Sequence, residues 1–463
     1  MTINAPEGST GPDFGVINGI FTDGMSEEGA YIVLRNYESL PNTAGGSDID
    51  IWVFGDHRNV FLENAYKAII GEGGCVIGTA DTVGFRKLVA FGSGRNGGDW
   101  WGITLDLFFR VNYAGVADLV NGDALAARAD KHNGINVLSK GEAAILGVLK
   151  EVLHNLRVPE RYLIEARKSV LHNWDQQLQL FAPIGNRALD ILKDICQADL
   201  KDSRQVQLAR RLRRFVLLHA FYQNPFRYLR GRLAFLWSRV SRVIDPPGII
   251  IAILGTDGSG KSTIISAIEP VLDAATHGAF TVKHLRPGWL PPLARLKGIK
   301  PHGQGPVTDP HGARPSSSLV SLFRLAYLLT DYLVGYWIKV RPRIARSPAV
   351  VLFDRYAFDL EMDPRRFRIR LPRRWLRLAG RLAPKPDLIF CLDGDPEEIA
   401  SRKGELPLEE VRRQVEWIRD FAGRNSNAVL ISTRGSVEET RDQVLTALRD
   451  YCLARNPLDE PSG

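Results

Sequence analysis

The chain is poor in the residues that build disulfide-linked or zinc-linked scaffolds. Only four of its 463 residues are cysteines. They are Cys75, Cys196, Cys391 and Cys452, which lie far apart and form no C-x-x-C pair. This pattern argues against a disulfide framework and a cysteine-based zinc site, and it is typical of a reducing compartment. The first residues also lack the basic and apolar regions of a secretory signal, so we expect a cytoplasmic protein.

Acidic residues are missing from two long arginine-rich stretches. Residues 210–242 contain nine arginines and residues 365–381 contain eight, and neither stretch contains an aspartate or glutamate. Such stretches attract phosphate groups or an anionic membrane surface, which would place the protein at the periphery of a membrane. The alternative is a solvated helix face whose arginine stems cover apolar surface. We do not expect a nucleic acid partner.

A long apolar run free of charge is also absent. Residues 319–340 have the length to cross a bilayer, but they include Arg324 and Asp331. Unpaired charges inside a bilayer cost several kcal/mol. The run therefore predicts a core helix of a soluble domain.

The order of apolar patterns divides the chain into three parts. Residues 1–125 contain strand-like runs with a helical pattern near 60–70, which predicts a small α+β domain. Residues 126–245 have mostly helical spacing, with Ser139 as an N-cap. After Pro246, Pro247 and Gly248, strands at 249–254, 349–353 and 387–392 alternate with helices. Residues 246–463 are therefore predicted to form an α/β domain with a doubly wound parallel sheet.

The sequence IIIAILGTDGSGKST at 249–263 is the most informative segment. It places G-x-x-x-x-G-K-[ST] between a predicted strand and a predicted helix, which is the pattern of a phosphate-binding P-loop. We expect Lys261 to contact the β- and γ-phosphates of ATP, and the Ser262 hydroxyl to bind Mg²⁺. The residues predicted to hold the nucleotide are Gly255, Thr256, Asp257, Gly258, Ser259, Gly260, Lys261, Ser262 and Thr263.

A second motif, VVLFDRYAFD, ends the next strand that we predict in this domain. An acid at the carboxyl end of a strand beside the P-loop can hold Mg²⁺ or take a proton from an acceptor, and Asp354 has that position. The adjacent Arg355 suits a phosphate or carboxylate of the acceptor.

From 248 to the end, the order ILGTDGSGKST, DRY and PDLIFCLD-x-D-P-E-E resembles the thymidylate kinase-like branch of the P-loop kinases. The resemblance implies transfer of the ATP γ-phosphoryl group to a nucleoside monophosphate or a related small phosphorylated acceptor. It implies that Asp257 lies near the acceptor sugar and that Asp354 and Arg355 handle the acceptor phosphate and Mg²⁺. In some family members an arginine of the P-loop stabilises the transferring phosphoryl group, but this chain has Ser259 at that position. The resemblance therefore implies that a mobile lid supplies the positive charge. The lid candidates are Arg402, Lys403, Arg412 and Arg413. The family's Arg-Glu-Pro segment is missing, and only Arg286-Pro287 stand near its place.

The N-terminal part contains three acids in strand-like context. Asp48 and Asp50, in GGSDIDIWV, project to one face of a strand, and Asp106 lies mid-strand in GITLDLFF. The set resembles the metal-binding carboxylates of polymerase-β-like nucleotidyltransferases, which implies bound Mg²⁺ ions and a second nucleotide site. Asn36-Tyr37 replace the Gly-Ser pair by which that family grips a triphosphate. The alternative is that Asp48 is a turn residue and Asp50 an exposed strand residue.

Together the two resemblances imply a bacterial fusion of a transferase-like domain to a kinase. Two other functions remain open. One is a P-loop ATPase switch that regulates the N-terminal domain or membrane docking. The other is nucleotidyl transfer as the main activity, in polysaccharide biosynthesis.

Overall fold

The computed structural model describes residues 11–22, 30–94, 99–197, 204–292, 316–403 and 406–456. The chain divides into two compact units between Ile244 and Asp245. Unit 1 contains the described residues up to Ile244, and unit 2 contains those from Asp245 onward. Each unit has its own sheet.

Unit 1 is built on a seven-stranded mixed sheet with the strand order β3-β4-β5-β2-β1-β7-β6. The strands are β1 (Tyr31–Arg35), β2 (Asp48–Val53), β3 (Gly74–Thr82), β4 (Phe85–Ser93), β5 (Trp100–Phe108), β6 (Asp130–His132) and β7 (Ile135–Val137). The helices are α1 (Phe14–Thr22), α2 (Arg58–Gly71), α3 (Gly122–Ala126), α4 (Lys140–Asn155), α5 (Glu160–Phe181), α6 (Asn186–Gln197), α7 (Arg204–Gln223) and α8 (Pro225–Ile244). The helices from α4 onward thus belong to the same unit as the strands.

In unit 1 one local signal acts as the sequence indicates, and one strand lacks such a signal. Ser139 caps α4, since its Oγ accepts a hydrogen bond from the backbone N–H of Glu142 at 3.4 Å. The strand that carries the paired acids begins at Asp48, so both acids lie within it. Strand β3 was not predicted, because glycine, threonine and aspartate interrupt its apolar pattern.

Unit 2 contains a five-stranded, fully parallel sheet with the order β12-β11-β8-β10-β9. The strands are β8 (Ile249–Leu254), β9 (Thr281–His284), β10 (Val350–Asp354), β11 (Leu388–Asp393) and β12 (Ala428–Ser432). The helices are α9 (Lys261–Thr276), α10 (Ser318–Gly335), α11 (Arg341–Arg346), α12 (Asp359–Met362), α13 (Arg373–Leu382), α14 (Pro396–Lys403), α15 (Leu408–Arg424) and α16 (Val437–Arg455). Parallel strands alternating with helices are the α/β arrangement that the sequence predicts.

The sequence predicts the central strands of this sheet but not its edge strands. All six residues of β8 are buried, so the strand reads as a continuous apolar run. Strands β9 and β12 were not predicted. Both are short edge strands in which most residues are partly or fully exposed, so neither has such a run.

The apolar stretch 319–340 forms α10 and a π-helical turn, Tyr336–Val340. Ser318–Arg346 is long and apolar enough to cross a membrane, and 33% of its most apolar window is buried. One face packs into unit 2 through Leu325, Asp331 and Tyr332. Other apolar side chains on the same stretch are exposed, including Leu319, Phe323 and Trp337. The expectation of a core helix therefore describes one face only.

Candidate functional site

The P-loop of unit 2 links β8 to α9, and its glycines make the turn sterically feasible. Gly258 and Gly260 both have a φ of 88°, a backbone conformation that other residues rarely adopt. A Cβ on Gly255 would lie only 2.4 Å from Ser259 Oγ. The loop therefore needs glycine at these three positions to curl back over its own backbone.

Lys261 begins α9 and is buried under the loop. Its Nζ donates hydrogen bonds to the carbonyl oxygens of Gly255 at 2.8 Å and Thr256 at 2.7 Å. Burial, reinforced by the positive charge of Arg355, lowers the pKa of Lys261 to about 7. A buried ammonium in this position gains strongly from a polyanion that restores its charge balance.

Three buried oxygens around the loop test whether a nucleotide and a cation fit. Thr256 Oγ1, Ser259 Oγ and Asp354 Oδ1 have no hydrogen-bond partner among the described residues. Buried polar atoms are rarely left unpaired in folded proteins, so such a group of them indicates a missing ligand. Ser262, at the start of α9, supplies a hydroxyl on the same loop. These residues fit a triphosphate with its Mg²⁺, where Ser262 and Asp354 would be the protein ligands of the metal.

Asp354 ends β10, the strand directly beside β8. Its neighbour on the other side is His284 at the end of β9, whose Nδ1 lies 3.0 Å from Asp354 Oδ2. Burial alone would raise the pKa of Asp354, but His284 and Lys261 outweigh it and hold the pKa below its usual value. Asp354 is therefore a carboxylate at neutral pH, with one oxygen held and the other available. His284 was missed at the sequence level because β9 was missed.

Arg355 has a φ of 72° and is enclosed by two carboxylates. Its Nη1 donates to Asp359 Oδ1 at 3.1 Å, and its Nη2 donates to Asp257 in the P-loop. The arginine side chain is 5% exposed. The structure thus brings together Asp257 and Arg355, both of which the sequence analysis assigned to the acceptor side, and adds the buried Asp359.

A second guanidinium on Asp257 was not anticipated. Arg366, from the segment between α12 and α13, donates from Nη1 to Asp257 Oδ2. Burial alone would raise the pKa of Asp257, but Arg355, Lys261 and Arg366 hold it below its usual value. The arginine-rich composition of residues 365–381 indicated that this stretch attracts anionic groups, but it did not distinguish Arg366 from its neighbours.

The lid candidates lie on α14 and α15 and are paired with acids there. Arg402 pairs with Glu398 at 3.1 Å, Arg412 with Glu397 at 2.5 Å and Arg413 with Glu410 at 2.6 Å. The side chain of Lys403 is outside the described part of the chain. Arg402 and Arg412 are about half exposed, so an ion pair holds each only weakly. Their contribution to phosphoryl transfer stays a prediction.

In unit 1 the three acids come together, with ligand oxygens within 4.8 Å of one another. Strand register explains this, because Asp50 lies opposite Asp106 on the parallel neighbour β5. The same register places Arg35 of β1 opposite Asp50 and Lys87 of β4 opposite Asp106. Four adjacent strands therefore carry a row of charges in the order positive, negative, negative, positive.

The cations of this row are paired with the acids. Arg35 donates to Asp50 and lies 3.5 Å from Asp48, and the Nζ of Lys87 lies 2.7 Å from Asp106. Lys150 of α4 lies 3.2 Å from Asp50. Burial alone would raise the pKa of Asp50, but Lys150 and Arg35 hold it below its usual value. Three cations thus match three carboxylates, which favours a charge-paired row, and Mg²⁺ binding by Asp48, Asp50 and Asp106 stays a prediction.

Asn36 and Tyr37 occupy the position of the missing Gly-Ser pair. Asn36 has a φ of 58°, a conformation suited to glycine, and Tyr37 is buried. Asn36 Nδ2 donates to the backbone oxygen of Asp48 at 3.3 Å. The cavity above Asp50 and Asp106, about 280 Å³, has mainly apolar walls that include Phe85 and Phe108.

No protein-family model and no curated protein matches the chain. Among solved structures, the chain is similar to a thymidylate kinase from Ehrlichia chaffeensis, with 17% identity and a TM-score of 0.32 over 44% of this chain and 100% of that one. It is also similar to a thymidylate kinase from Candida albicans, with 16% identity and a TM-score of 0.33 over 44% of this chain and 92% of that one.

Proposed function

We propose that unit 2 is an ATP-dependent phosphotransferase that moves the γ-phosphoryl group to a small phosphorylated acceptor, of which nucleoside monophosphates are the first class to test. The observation that carries the proposal is the group of unpaired oxygens around the P-loop, next to the buried Lys261. A triphosphate with Mg²⁺ would satisfy all of these groups at once.

The residues divide into a donor side and an acceptor side. On the donor side, the loop amides, Lys261 and Ser262 would hold the phosphates, and Asp354 would hold Mg²⁺ through its unpaired oxygen. Bound Mg²⁺ would neutralise charge on the phosphates during transfer. On the acceptor side, Asp257 lies in the crevice at the carboxyl ends of β8, β9 and β10, where parallel sheets bind their ligands. Transfer forms a bond from an acceptor oxygen to the γ-phosphorus, breaks the bond to the β–γ bridging oxygen, and releases ADP.

ATP binding is the first test of this proposal. Calorimetry with Mg²⁺ and a non-hydrolysable ATP analogue should give a 1:1 complex, and Lys261→Met should weaken it at least about tenfold because a charged contact to phosphate is lost. Lys385→Met is the matched control, since Lys385 is an exposed lysine of the same unit. Equal affinity for wild type and Lys261→Met would contradict the proposal.

The second test is an acceptor screen. ATP and Mg²⁺ are incubated with nucleoside monophosphates, sugars and sugar phosphates, and ADP formation is followed. A phosphotransferase should form ADP slowly until a suitable acceptor is added, and the acceptor should gain one phosphoryl group. ADP formation at one constant rate, whatever acceptor is present, would instead support the ATPase switch.

A further inference from the structure

Two arginines share the P-loop carboxylate Asp257, and their surroundings differ. Arg355 is almost fully buried and uses both terminal nitrogens on two carboxylates, Asp257 and Asp359. Arg366 contacts Asp257 through Nη1, and its side chain is 21% exposed. Arg355 is therefore enclosed by the protein, whereas Arg366 is partly exposed and uses Nη1 on Asp257, so other guanidinium donors can take a ligand.

The segment that carries Arg366 is anchored on both sides of it. Asp363 Oδ1 accepts the backbone N–H of Arg366 at 3.3 Å. Further along, Arg370 donates its backbone N–H to Ser321 Oγ of α10 at 2.9 Å. Ile369 is buried in a small cluster with Leu325 and other apolar residues. These contacts fix the position from which the Arg366 side chain reaches the P-loop.

The charges around Arg366 indicate what kind of ligand group it would take. Asp257 already has Arg355 as a buried partner, and Arg366 adds a second guanidinium to the same carboxylate. A planar guanidinium with free donors matches the oxygens of a phosphate monoester. Asp257 would hold Arg366 at the crevice until such a group arrives.

We propose that Arg366 is the residue that binds the phosphate group of the acceptor. This inference rests on the proposed function of unit 2. It assigns to the arginine-rich segment the contact that the sequence analysis gave to Arg355, and it leaves Arg355 as a buried positioning residue between Asp257 and Asp359.

The test uses inorganic phosphate as the probe for the acceptor's anionic group. Phosphate is titrated by calorimetry into the full-length protein saturated with Mg²⁺ and AMP-PNP, whose γ-phosphate fills the donor site. Arg366→Ala should weaken phosphate binding by roughly ten- to a hundredfold, the value of a hydrogen bond between charged groups. Arg365→Ala is the matched control, because Arg365 is the exposed neighbour and should leave the affinity unchanged.

A second variant tests the competition with Asp257. Asp257→Asn removes the negative charge that holds Arg366, so phosphate should bind several-fold more tightly than to wild type. The gain should be lost when Asp257→Asn is combined with Arg366→Ala, which measures the coupling of the two side chains directly. Arg366→Lys, which keeps the charge, should retain part of the affinity and serves if Arg366→Ala does not fold.

The outcomes separate the two proposals. If Mg²⁺ and AMP-PNP do not bind to the wild-type protein, the proposed function fails and this inference fails with it. If they bind but phosphate affinity is the same in wild type and Arg366→Ala, or phosphate does not bind at all, only the role of Arg366 is overturned.

Discussion

Asp331 is fully buried in α10 and lies 3.0 Å from the Nη1 of Arg286, on the segment that follows β9. Its two oxygens also accept the backbone N–H groups of Gly288, Trp289 and Leu290 at 3.0, 2.7 and 2.7 Å. Asp331 therefore anchors residues 286–290, which follow His284 at the end of β9. The charge of Asp331 is paired and its oxygens are hydrogen-bonded, as a buried carboxylate requires.

Asp331→Ala should destabilise unit 2 by about 3 kcal/mol or more, because Arg286 loses its buried partner and three backbone donors lose their acceptor. Amide hydrogen exchange at residues 288–290 should become faster. Thr330→Ala, at an exposed position one residue away, is the control and should change little. Unchanged exchange in Asp331→Ala would show that other contacts hold the segment.

Asp50→Asn should destabilise unit 1 by about 3 kcal/mol, because Arg35 and Lys150 would face a neutral side chain. Urea unfolding together with hydrogen exchange in β2 would measure the loss. The partly exposed pair of Arg86 and Asp81 on the same sheet provides the control, and Asp81→Asn should cost less than about 1 kcal/mol because Asp81 itself is exposed.

The same variant distinguishes a paired row from a metal centre. If the three acids formed a metal site, removing one charge would relieve their repulsion and stabilise the metal-free protein, and Mn²⁺ would stabilise the wild type. We expect neither effect.

Lys261→Met should stabilise nucleotide-free unit 2 while it weakens ATP binding, because an apolar side chain of similar length avoids the burial of an ammonium. The gain depends on pH. The pKa of Lys261 falls from 10.5 in the unfolded chain to about 7 in the folded one, so the folded state resists protonation between these values. Wild-type stability should therefore rise relative to the variant from about pH 7 to about pH 10.5.

Thermal unfolding of both proteins across this pH range checks the prediction. The difference in stability should be largest at and below pH 7 and should shrink as the pH increases. A difference that is constant with pH would show that Lys261 keeps its charge in the folded protein at no cost.

Arg402→Ala should change the stability of unit 2 by no more than about 0.5 kcal/mol, since its ion pair with Glu398 is half exposed. If the lid supplies charge to the transferring phosphoryl group, the rate of ADP formation with a competent acceptor should fall at least about tenfold. Arg424→Ala, another exposed arginine of the same unit, is the control. Equal rates for Arg402→Ala and this control would remove Arg402 from the catalytic set.

The sequence predicts structural features that depend on residues close together in the chain. The P-loop is one run of consecutive residues, so its motif alone predicted a glycine turn between a strand and a helix. The same holds for Ser139 as the cap of α4 and for Asp354 at the end of a buried strand. In each case a local rule determines the geometry, and tertiary packing only preserves it.

The sequence by itself determined an α/β unit with a glycine-rich P-loop and Asp354 beside it, and it identified three acids in the N-terminal part. Only the tertiary structure decided which charges meet. Arg366 reaches Asp257 across 109 positions, and Arg35 and Lys87 reach the acids through strand register. No local pattern encodes these pairings, because they depend on how separate elements align once their apolar faces are buried.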